Sequence, residues 1–236
     1  MKKTPQSAQS AASSPSRGAH DRLKPVSKAH VRYKTSDCKV VPGATTITGL
    51  LNKPYLIKWA NNLGLEGIDS STYTDEAAKV GTLAHALIQA DLQGEALDMR
   101  QYSPIQVDLA ENAVLSFFEW KKRHDIKPVH CETPFVSDKM RYGGTVDCYC
   151  ILDGKPTLLD FKTGKAIYEE YFVQLAAYAE LLRENGYPVD ECRILRVGRD
   201  ATEGFEERSV ADTSKWFAIF QRLLDVYYLK KELGWK

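Results

Sequence analysis

The sequence predicts an α/β fold in which helices flank a central mixed β-sheet. One observation is a run of strand-like segments between residues 129 and 163, the last two joined by the hairpin turn signal Asp153-Gly154. A second is the presence of helical apolar patterns before and after this run. A third is a pair of strand-like segments near the end of the chain, which follow a helix. The 236 residues suffice for a full hydrophobic core, and the composition is ordinary for a globular protein.

Charge is distributed unevenly along the chain. The formal net charge is +1, so the overall charge gives no indication of nucleic-acid binding. Residues 1–34 nevertheless carry eight Lys or Arg and one Asp. Because residues 1–28 have almost nothing to bury, we predict a disordered basic tail there and a single domain over residues 29–236. A DNA tether, an inert tail and an organellar targeting segment are three open interpretations of that tail.

The cysteine pattern and the hydropathy exclude several classes of protein. Five cysteines at irregular spacing form no CxxC pair, which argues against a disulfide framework or a zinc site and fits a reducing compartment. No apolar run approaches the roughly 20 residues of a membrane span, so we expect no membrane partner.

The individual elements follow from local signals. Pro54 opens a helix, Ser103 and Gln106 form a capping box around Pro104, and Gly94 and Gly186 each end a helix. The predicted helices span residues 54–64, 75–93, 104–124, 168–185 and, after a cap at 212 or 213, the segment to 233. The predicted strands span residues 30–33, 39–41, 129–136, 140–152, 156–163, 190–198 and 205–210.

The register of the predicted hairpin places two acids opposite each other. If Asp153-Gly154 is the centre of the turn, Leu152 faces Lys155, and Asp147 lies directly across from Asp160. Directly opposed like charges are destabilising. Two facing carboxylates therefore suggest a site for a divalent ion, and hard oxygen ligands of this kind suit Mg²⁺ or Mn²⁺.

A lysine accompanies this predicted carboxylate pair. Residues two apart in a strand share a face, so Lys162 points the same way as Asp160, and the register sets Thr145 opposite Lys162. A charged pair in an apolar strand is costly unless something compensates it. A bound cation and a phosphodiester would do so; a salt bridge at the strand edge is the alternative.

Other polar residues in apolar elements are candidates for the same site. His85 lies on a predicted helix, one turn after Gly81, which would permit close approach of a backbone or a substrate; a core histidine is the alternative. Glu132 lies in the first strand of the sheet and could face solvent, support the site or bind a second metal. Gln174 and Tyr178 share a helix face. Either they form an internal hydrogen-bond network, or this face lies over the active site.

Taken in order, these segments resemble the PD-(D/E)XK nuclease superfamily, and within it the RecB-like exonuclease branch. The segment 41–60 is similar to phage-encoded members in particular. The resemblance implies a restriction-endonuclease-like core. The family's motif has Glu or Asp two residues before its lysine, and this chain has the less common of the two acids there, Asp160 before Lys162. Members with an iron–sulfur cluster carry three cysteines downstream of this core, whereas here only Cys192 follows Tyr178, so we expect no cluster. The matching motifs are Gly81-Thr82-x-x-His85, Gly144-Thr145-Val146-Asp147, Asp160-Phe161-Lys162-Thr163-Gly164 and Gln174-x-x-x-Tyr178.

The resemblance also implies roles for individual residues. The metal ligands would be His85, Asp147, Asp160 and the Phe161 carbonyl. Lys162 would orient or deprotonate the attacking water and help neutralise the phosphate. Gln174 and Tyr178 would support the site and bind DNA. Apart from the resemblance, Glu132 is a candidate for a supporting catalytic role or a second metal, and the candidate DNA contacts are Arg141, Lys165, Arg196 and Thr163.

The expected function is that of a metal-dependent DNA exonuclease acting on linear DNA in recombination, repair or replication. It would work in the cytoplasm of a bacterial or phage-infected cell, with a recombination or single-strand-binding protein as a candidate partner. Two alternatives are a structure-specific endonuclease acting on flaps and a DNA-end binding protein without catalysis.

Overall fold

A computed structural model of the chain describes residues 24–25 and 31–235. The helices are α1 (Ala44–Thr48), α2 (Pro54–Leu65), α3 (Ser70–Gln93), α4 (Pro104–Lys121), α5 (Glu170–Glu184) and α6 (Ser214–Glu232). The strands are β1 (Lys24–Pro25), β2 (Leu97–Asp98), β3 (Ile126–Ser137), β4 (Tyr142–Leu152), β5 (Lys155–Lys162), β6 (Glu191–Val197) and β7 (Phe205–Val210).

Strands β3 to β7 form a five-stranded sheet in sequential order. The β5–β6 pair is parallel and the other pairs are antiparallel, because α5 provides the long crossover that parallel strands need. One core packs α5 and α6 against one face of the sheet, and a second core packs α3 and α4 against the other. The predicted mixed sheet flanked by helices is thus confirmed.

Most predicted boundaries lie within a few residues of the observed ones, and the largest shift has a clear cause. Helix α3 begins at Ser70 instead of residue 75, because the Asp69 side chain accepts a hydrogen bond from the Thr72 amide and caps the helix earlier. The predicted capping box at Ser103 and Gln106 is present at the start of α4.

The segment before α1 differs from the prediction of two strands. Residues 31–43 form a loop whose only bridge within the segment joins Lys34 to Val40, around a turn in which Cys38 has a φ of 62°. The predicted tail over residues 1–28 lies outside the described residues, except that Lys24–Pro25 pairs with Leu97–Asp98 in a short parallel ladder.

The predicted hairpin register holds only in part. Pairing runs from Leu152–Lys155 to Cys148–Leu159, as expected, and then stops. The predicted facing pair of Asp147 and Asp160 is therefore not formed within the ladder. Beyond Cys148, strand β4 stays paired with β3 while β5 continues beside β6, so the two strands of the hairpin separate.

The predicted pairing of Thr145 with Lys162 is wrong for the same reason. Thr145 pairs with Pro134 of β3, and Lys162 pairs with Arg196 of β6. The divergence opens the sheet at the point where the candidate site residues are concentrated.

Among the described residues, no helix combines the length and the apolar character needed to cross a membrane.

Candidate active site

A cleft of about 1250 Å³ opens where β4 and β5 separate, with α3 on one side and α5 on the other. The predicted site residues that line it are His85, Glu132, Asp147, Phe161, Lys162, Thr163, Gln174 and Tyr178. The structure therefore brings together most of the residues predicted from the motifs, although they come from six separate elements and loops.

Three potential metal ligands converge at the floor of this cleft. One ligand atom each from His85, Glu132 and Asp147 lies within 4.8 Å of the others. The His85 Nδ1 atom is 3.6 Å from an Asp147 carboxylate oxygen and 3.7 Å from a Glu132 oxygen. Sequence reasoning predicted His85 beside two carboxylates; the structure supplies Glu132 as the second of them, whereas Asp160 is not in this group.

The donor set fits a divalent cation. The separations of 3.6 and 3.7 Å are too long for hydrogen bonds, yet are short enough for two atoms that each lie about 2.1 Å from one ion. The His85 Nδ1 atom is also buried and has no hydrogen-bond partner. A buried polar atom without a partner is costly, and an ion between it and the carboxylates would satisfy it.

The backbone at Glu132 and Asp147 is irregular, and this irregularity directs both side chains. Glu132 has a φ of 46°, in the left-handed region that a residue other than glycine seldom adopts. Along β4, Val146 packs into the core beside α5, whereas Cys148, two residues later, packs into the core beside α3. The alternation of faces therefore breaks at Asp147.

Asp147 also fixes the end of β5. Its Oδ2 atom accepts a hydrogen bond of 2.9 Å from the Phe161 backbone amide. This contact replaces the ladder hydrogen bond that the amide loses where the strands separate. Asp147 therefore connects the group of three potential metal ligands (the ligand group: His85, Glu132 and Asp147) to β5, the strand that carries Asp160 and Lys162.

Asp160 and Lys162 point to the same side of β5, as the alternation predicts. The Lys162 Nζ atom lies 2.5 Å from Asp160 Oδ2, and the Asp160 side chain is only 2% exposed. Neither Asp160 oxygen accepts a hydrogen bond of good geometry. This pair matches the salt bridge that sequence reasoning gave as the alternative, but it lies at the cleft and not at a solvated strand edge.

Burial and neighbouring charge shift the pKa values of this pair. Burial raises the pKa of Asp160, Lys162 opposes that rise, and the negative charge of Asp147 adds to it. For Lys162, burial acts to lower the pKa, but the negative charges of Asp160 and Asp147 outweigh it and the pKa is raised. Lys162 is therefore held as a cation beside the ligand group.

Helix α5 forms the opposite wall of the cleft. Gln174 donates a hydrogen bond of 2.8 Å to the Tyr178 hydroxyl, so these residues form a local network and line the cleft at the same time. The Tyr178 ring lies against Gly144, where an added Cβ would be 2.4 Å from ring atom Cε1. The Gly144 motif position is thus explained by the close approach of this ring.

A substitution at Gly144 tests this packing. We expect Gly144→Ala to lower the free energy of unfolding by about 1–3 kcal/mol, because the added methyl group must displace the Tyr178 ring. Chemical denaturation with urea measures the change. Gly64→Ala is the control, because nothing lies within 4 Å of its added Cβ. Since Gly64 lies within helix α2, this control should keep or raise stability, by up to about 1 kcal/mol. Equal stability of Gly144→Ala and the wild type would contradict the packing.

Two further close approaches complete the site. Thr163 Oγ1 would lie 3.0 Å from a Cβ at Gly81, so the predicted close approach at this glycine is made by a side chain. Tyr33 was missed by sequence reasoning: its ring covers Gly143, and its hydroxyl lies 2.9 Å from Thr145 Oγ1. The pair of adjacent glycines was the available signal, since each leaves room for one tyrosine ring.

Of the four predicted DNA-contacting residues, two are exposed or line the cleft, and two are engaged in ion pairs. Lys165 is exposed, and Thr163 lines the cleft. Arg141 forms an ion pair of 2.8 Å with Asp37. Arg196 is only 8% exposed and lies 3.4 Å from a Glu206 carboxylate oxygen, a placement that argues against a phosphate contact.

A histidine and carboxylates are grouped beside a half-buried lysine, at the point where two strands of a mixed sheet separate. This arrangement is suited to metal-assisted hydrolysis. Residues 54–232 match the sequence model of the PD-(D/E)XK nuclease superfamily. This match spans more than half of the chain. The chain therefore belongs to that superfamily and is a nuclease. The comparison with curated proteins gives no match.

Solved structures show low similarity. SSO0001 is 13% identical with a TM-score of 0.30, covering 54% of this chain and 61% of its own. LHK-Exo in complex with dAMP is 10% identical with a TM-score of 0.40, and the match covers 82% of this chain and 93% of LHK-Exo. The alkaline exonuclease LHK-Exo from Laribacter hongkongensis is 11% identical with a TM-score of 0.35, covering 81% and 92%. At these identities and scores the likenesses carry no functional argument.

Proposed function

We propose that this nuclease is a metal-dependent DNA exonuclease that hydrolyses phosphodiester bonds from the ends of linear DNA. The observation that carries the proposal is the convergence of His85, Glu132 and Asp147 beside Lys162 in an open cleft. Mg²⁺ or Mn²⁺ suits this mixture of carboxylate and imidazole ligands.

His85, Glu132 and Asp147 would hold the ion, with Asp160 and the Phe161 carbonyl as further proposed ligands. Asp160 is a candidate because its carboxylate is buried and its only charged partner of opposite sign within ion-pair distance, among the described residues, is Lys162. When bound, the ion would lower the pKa of a coordinated water and offset the charge of the phosphate.

The chain's own residues supply the other requirements of the reaction. Lys162, a cation held beside the ligand group, orients the attacking water and stabilises negative charge on the phosphate in the transition state. The Gln174–Tyr178 pair borders the cleft and positions the substrate beside Lys162. Thr163 and Lys165 are the proposed phosphate contacts; Arg141 is tied to Asp37 and Arg196 is buried, so neither belongs to the proposal.

Exonuclease action is favoured by the order of the motifs, which resembles the RecB-like branch and its phage-encoded members. The presence of two acids and a lysine in one cleft disfavours a protein that only binds DNA ends, since binding alone does not require all three. Residues 29–236 would form one domain. We place the protein in the cytoplasm of a bacterial or phage-infected cell, with a recombination or single-strand-binding protein as its partner.

The discriminating experiment compares substrates with and without ends. We expect end-labelled linear DNA to be degraded with Mg²⁺ or Mn²⁺, covalently closed circles to resist, and EDTA to stop the reaction. Single-stranded, double-stranded and flap substrates are assayed in parallel by gel electrophoresis. Rapid cutting of closed circles or of flaps alone would favour an endonuclease, and binding without any cleavage would favour the end-binding alternative.

A further inference from the structure

Three tyrosine rings form a continuous row from the candidate active site to the protein surface. The Lys162 Nζ atom lies 5.1 Å from the centroid of the Tyr171 ring, which lines the cleft. The Tyr171 and Tyr168 rings are 5.6 Å apart in an edge-to-face contact. The Tyr168 and Tyr55 rings are 5.4 Å apart and nearly parallel, with an interplanar angle of 9°. We call Tyr171, Tyr168 and Tyr55 the tyrosine track.

The outer end of the track is not explained by the hydrophobic core. Tyr55 lies on α2, a helix in which no residue is buried. The Tyr55 side chain is 42% exposed, and Ile57 on the same helix is 74% exposed. Exposed aromatic side chains on an otherwise unburied helix add little to folding, because their apolar area stays in water.

Polar contacts nevertheless hold Tyr55 in place. Its hydroxyl donates a hydrogen bond of 2.6 Å to Glu170, and Lys53 lies 3.2 Å from the same carboxylate oxygen. The burial of this hydroxyl and the adjacent Glu170 charge raise the pKa of Tyr55, so the residue stays neutral. The ring is thereby oriented in advance, which lowers the entropy cost of stacking a ligand on it.

Exposed lysines are close in sequence to the tyrosines of the track. Lys58 is exposed and follows Tyr55 by three residues on α2, which places it on the same helical face. Lys165 is exposed in the loop that leads to Tyr168. Rings that can stack on bases, together with lysines that can contact phosphates, are the combination that binds single-stranded nucleic acid.

We propose that the tyrosine track binds the bases of an unpaired DNA strand whose backbone enters the cleft at Lys162. The proposal rests on the proposed nuclease function and specifies the form of its substrate. Bases within a duplex have both faces covered by neighbouring bases, so a ring can stack only on a base that is unpaired or terminal. The strand to be cut is therefore single-stranded where it lies on the track.

Binding of a fluorescent oligothymidine in EDTA, followed by fluorescence anisotropy, tests the track without cleavage. We expect Tyr55→Leu and Tyr168→Leu to weaken binding about 5- to 150-fold each, the range for loss of one base–aromatic stack. Tyr168→Phe should bind within about threefold of the wild type, because it keeps the ring. Tyr55→Phe keeps the ring but loses the hydrogen bond to Glu170, so its affinity should lie between those of the wild type and Tyr55→Leu. Ile57→Ser, an exposed change on the same helix, is the matched control and should bind like the wild type.

The salt dependence separates stacking from charge. The Tyr→Leu variants should leave the slope of log K against log salt unchanged, whereas Lys58→Ala should reduce its magnitude by about 0.7. A weakened affinity with an altered slope in the Tyr→Leu variants would contradict stacking.

The outcomes distinguish this inference from the proposed function. If the wild type degrades linear DNA but the Tyr→Leu variants bind oligothymidine as tightly as it does, the track proposal is overturned and the nuclease stands. If those variants instead change only the mass measured by light scattering, the surface contacts a second copy and the proposal is again overturned. If no DNA is cut, the proposed function fails, while ring-dependent binding of oligothymidine would still support the track.

Discussion

Lys162→Met is expected to lower the rate of DNA cleavage at least about 100-fold while Mn²⁺ binding is retained. The substitution removes the ammonium group but keeps most of the apolar stem. Lys162 is proposed to act on water and phosphate and not as a metal ligand, so its loss should affect the chemical step. Isothermal titration calorimetry with Mn²⁺ and a single-turnover cleavage assay on the same preparation provide the two measurements.

The same substitution should also destabilise the metal-free protein. Asp160 is 2% exposed and its ion pair with Lys162 would be lost, and an unpaired buried charge costs about 3–5 kcal/mol before protonation relieves part of it. Both assays are therefore run with Mn²⁺ present and the fold is checked by circular dichroism. Lys155→Met, at the exposed start of the same strand, is the matched control and should cleave normally. If Lys162→Met loses Mn²⁺ binding together with activity, the assigned division of roles is wrong.

Asp147→Asn is expected to abolish cleavage and most of the stabilisation that Mn²⁺ gives the wild type. The asparagine side chain can still accept the hydrogen bond from the Phe161 amide, so the fold should persist. Loss of a charged ligand should remove a metal-linked gain of about 2.7 kcal/mol at 100 times the Kd. Thermal melts of both proteins in Mn²⁺ and in EDTA give the four temperatures required.

In EDTA the lost charge acts in two opposite directions. Asp147 repels the Asp160 carboxylate and attracts the Lys162 ammonium group, so the free energies of unfolding of Asp147→Asn and the wild type should differ by no more than about 1 kcal/mol, or roughly 2–4 °C in melting temperature. Because the pKa of folded Asp160 lies above its ordinary value of 3.8, its contribution to stability is fully present below 3.8 and is lost as the pH rises through the folded pKa. Repulsion from Asp147 enlarges that loss, so Asp147→Asn should lose less stability than the wild type as the pH rises through the pKa of Asp160. An equal or greater loss in Asp147→Asn, measured by thermal melts in EDTA at several pH values, would contradict the repulsion.

The sequence predicted the sheet, the flanking helices and most residues of the cleft, because each rests on a local signal. The alternation of faces placed Asp160 and Lys162 on one side of β5, and the turn at Asp153-Gly154 set the register as far as Cys148–Leu159. Helical spacing likewise placed Gln174 next to Tyr178.

The remaining features depend on tertiary structure. Strand β4 separates from β5 because β4 stays paired with β3 while β5 stays paired with β6. A hairpin turn signal in the sequence does not show where the pairing of its two strands stops. For the same reason Glu132 could not be placed from its own strand: its left-handed backbone turns it toward His85. Tyr33 lies 112 residues from Thr145 in the chain, so only the fold brings their hydroxyls together.

The position of a bound metal ion tests the central claim most directly. Crystals soaked in Mn²⁺ and measured at the manganese absorption edge should give an anomalous peak at the floor of the cleft, roughly 2.0–2.6 Å from ligand atoms of His85, Glu132 and Asp147. The same soak of Asp147→Asn crystals should give no peak there. A wild-type peak elsewhere in the protein, or an equally strong peak in Asp147→Asn, would contradict the assignment of these three residues as the metal site.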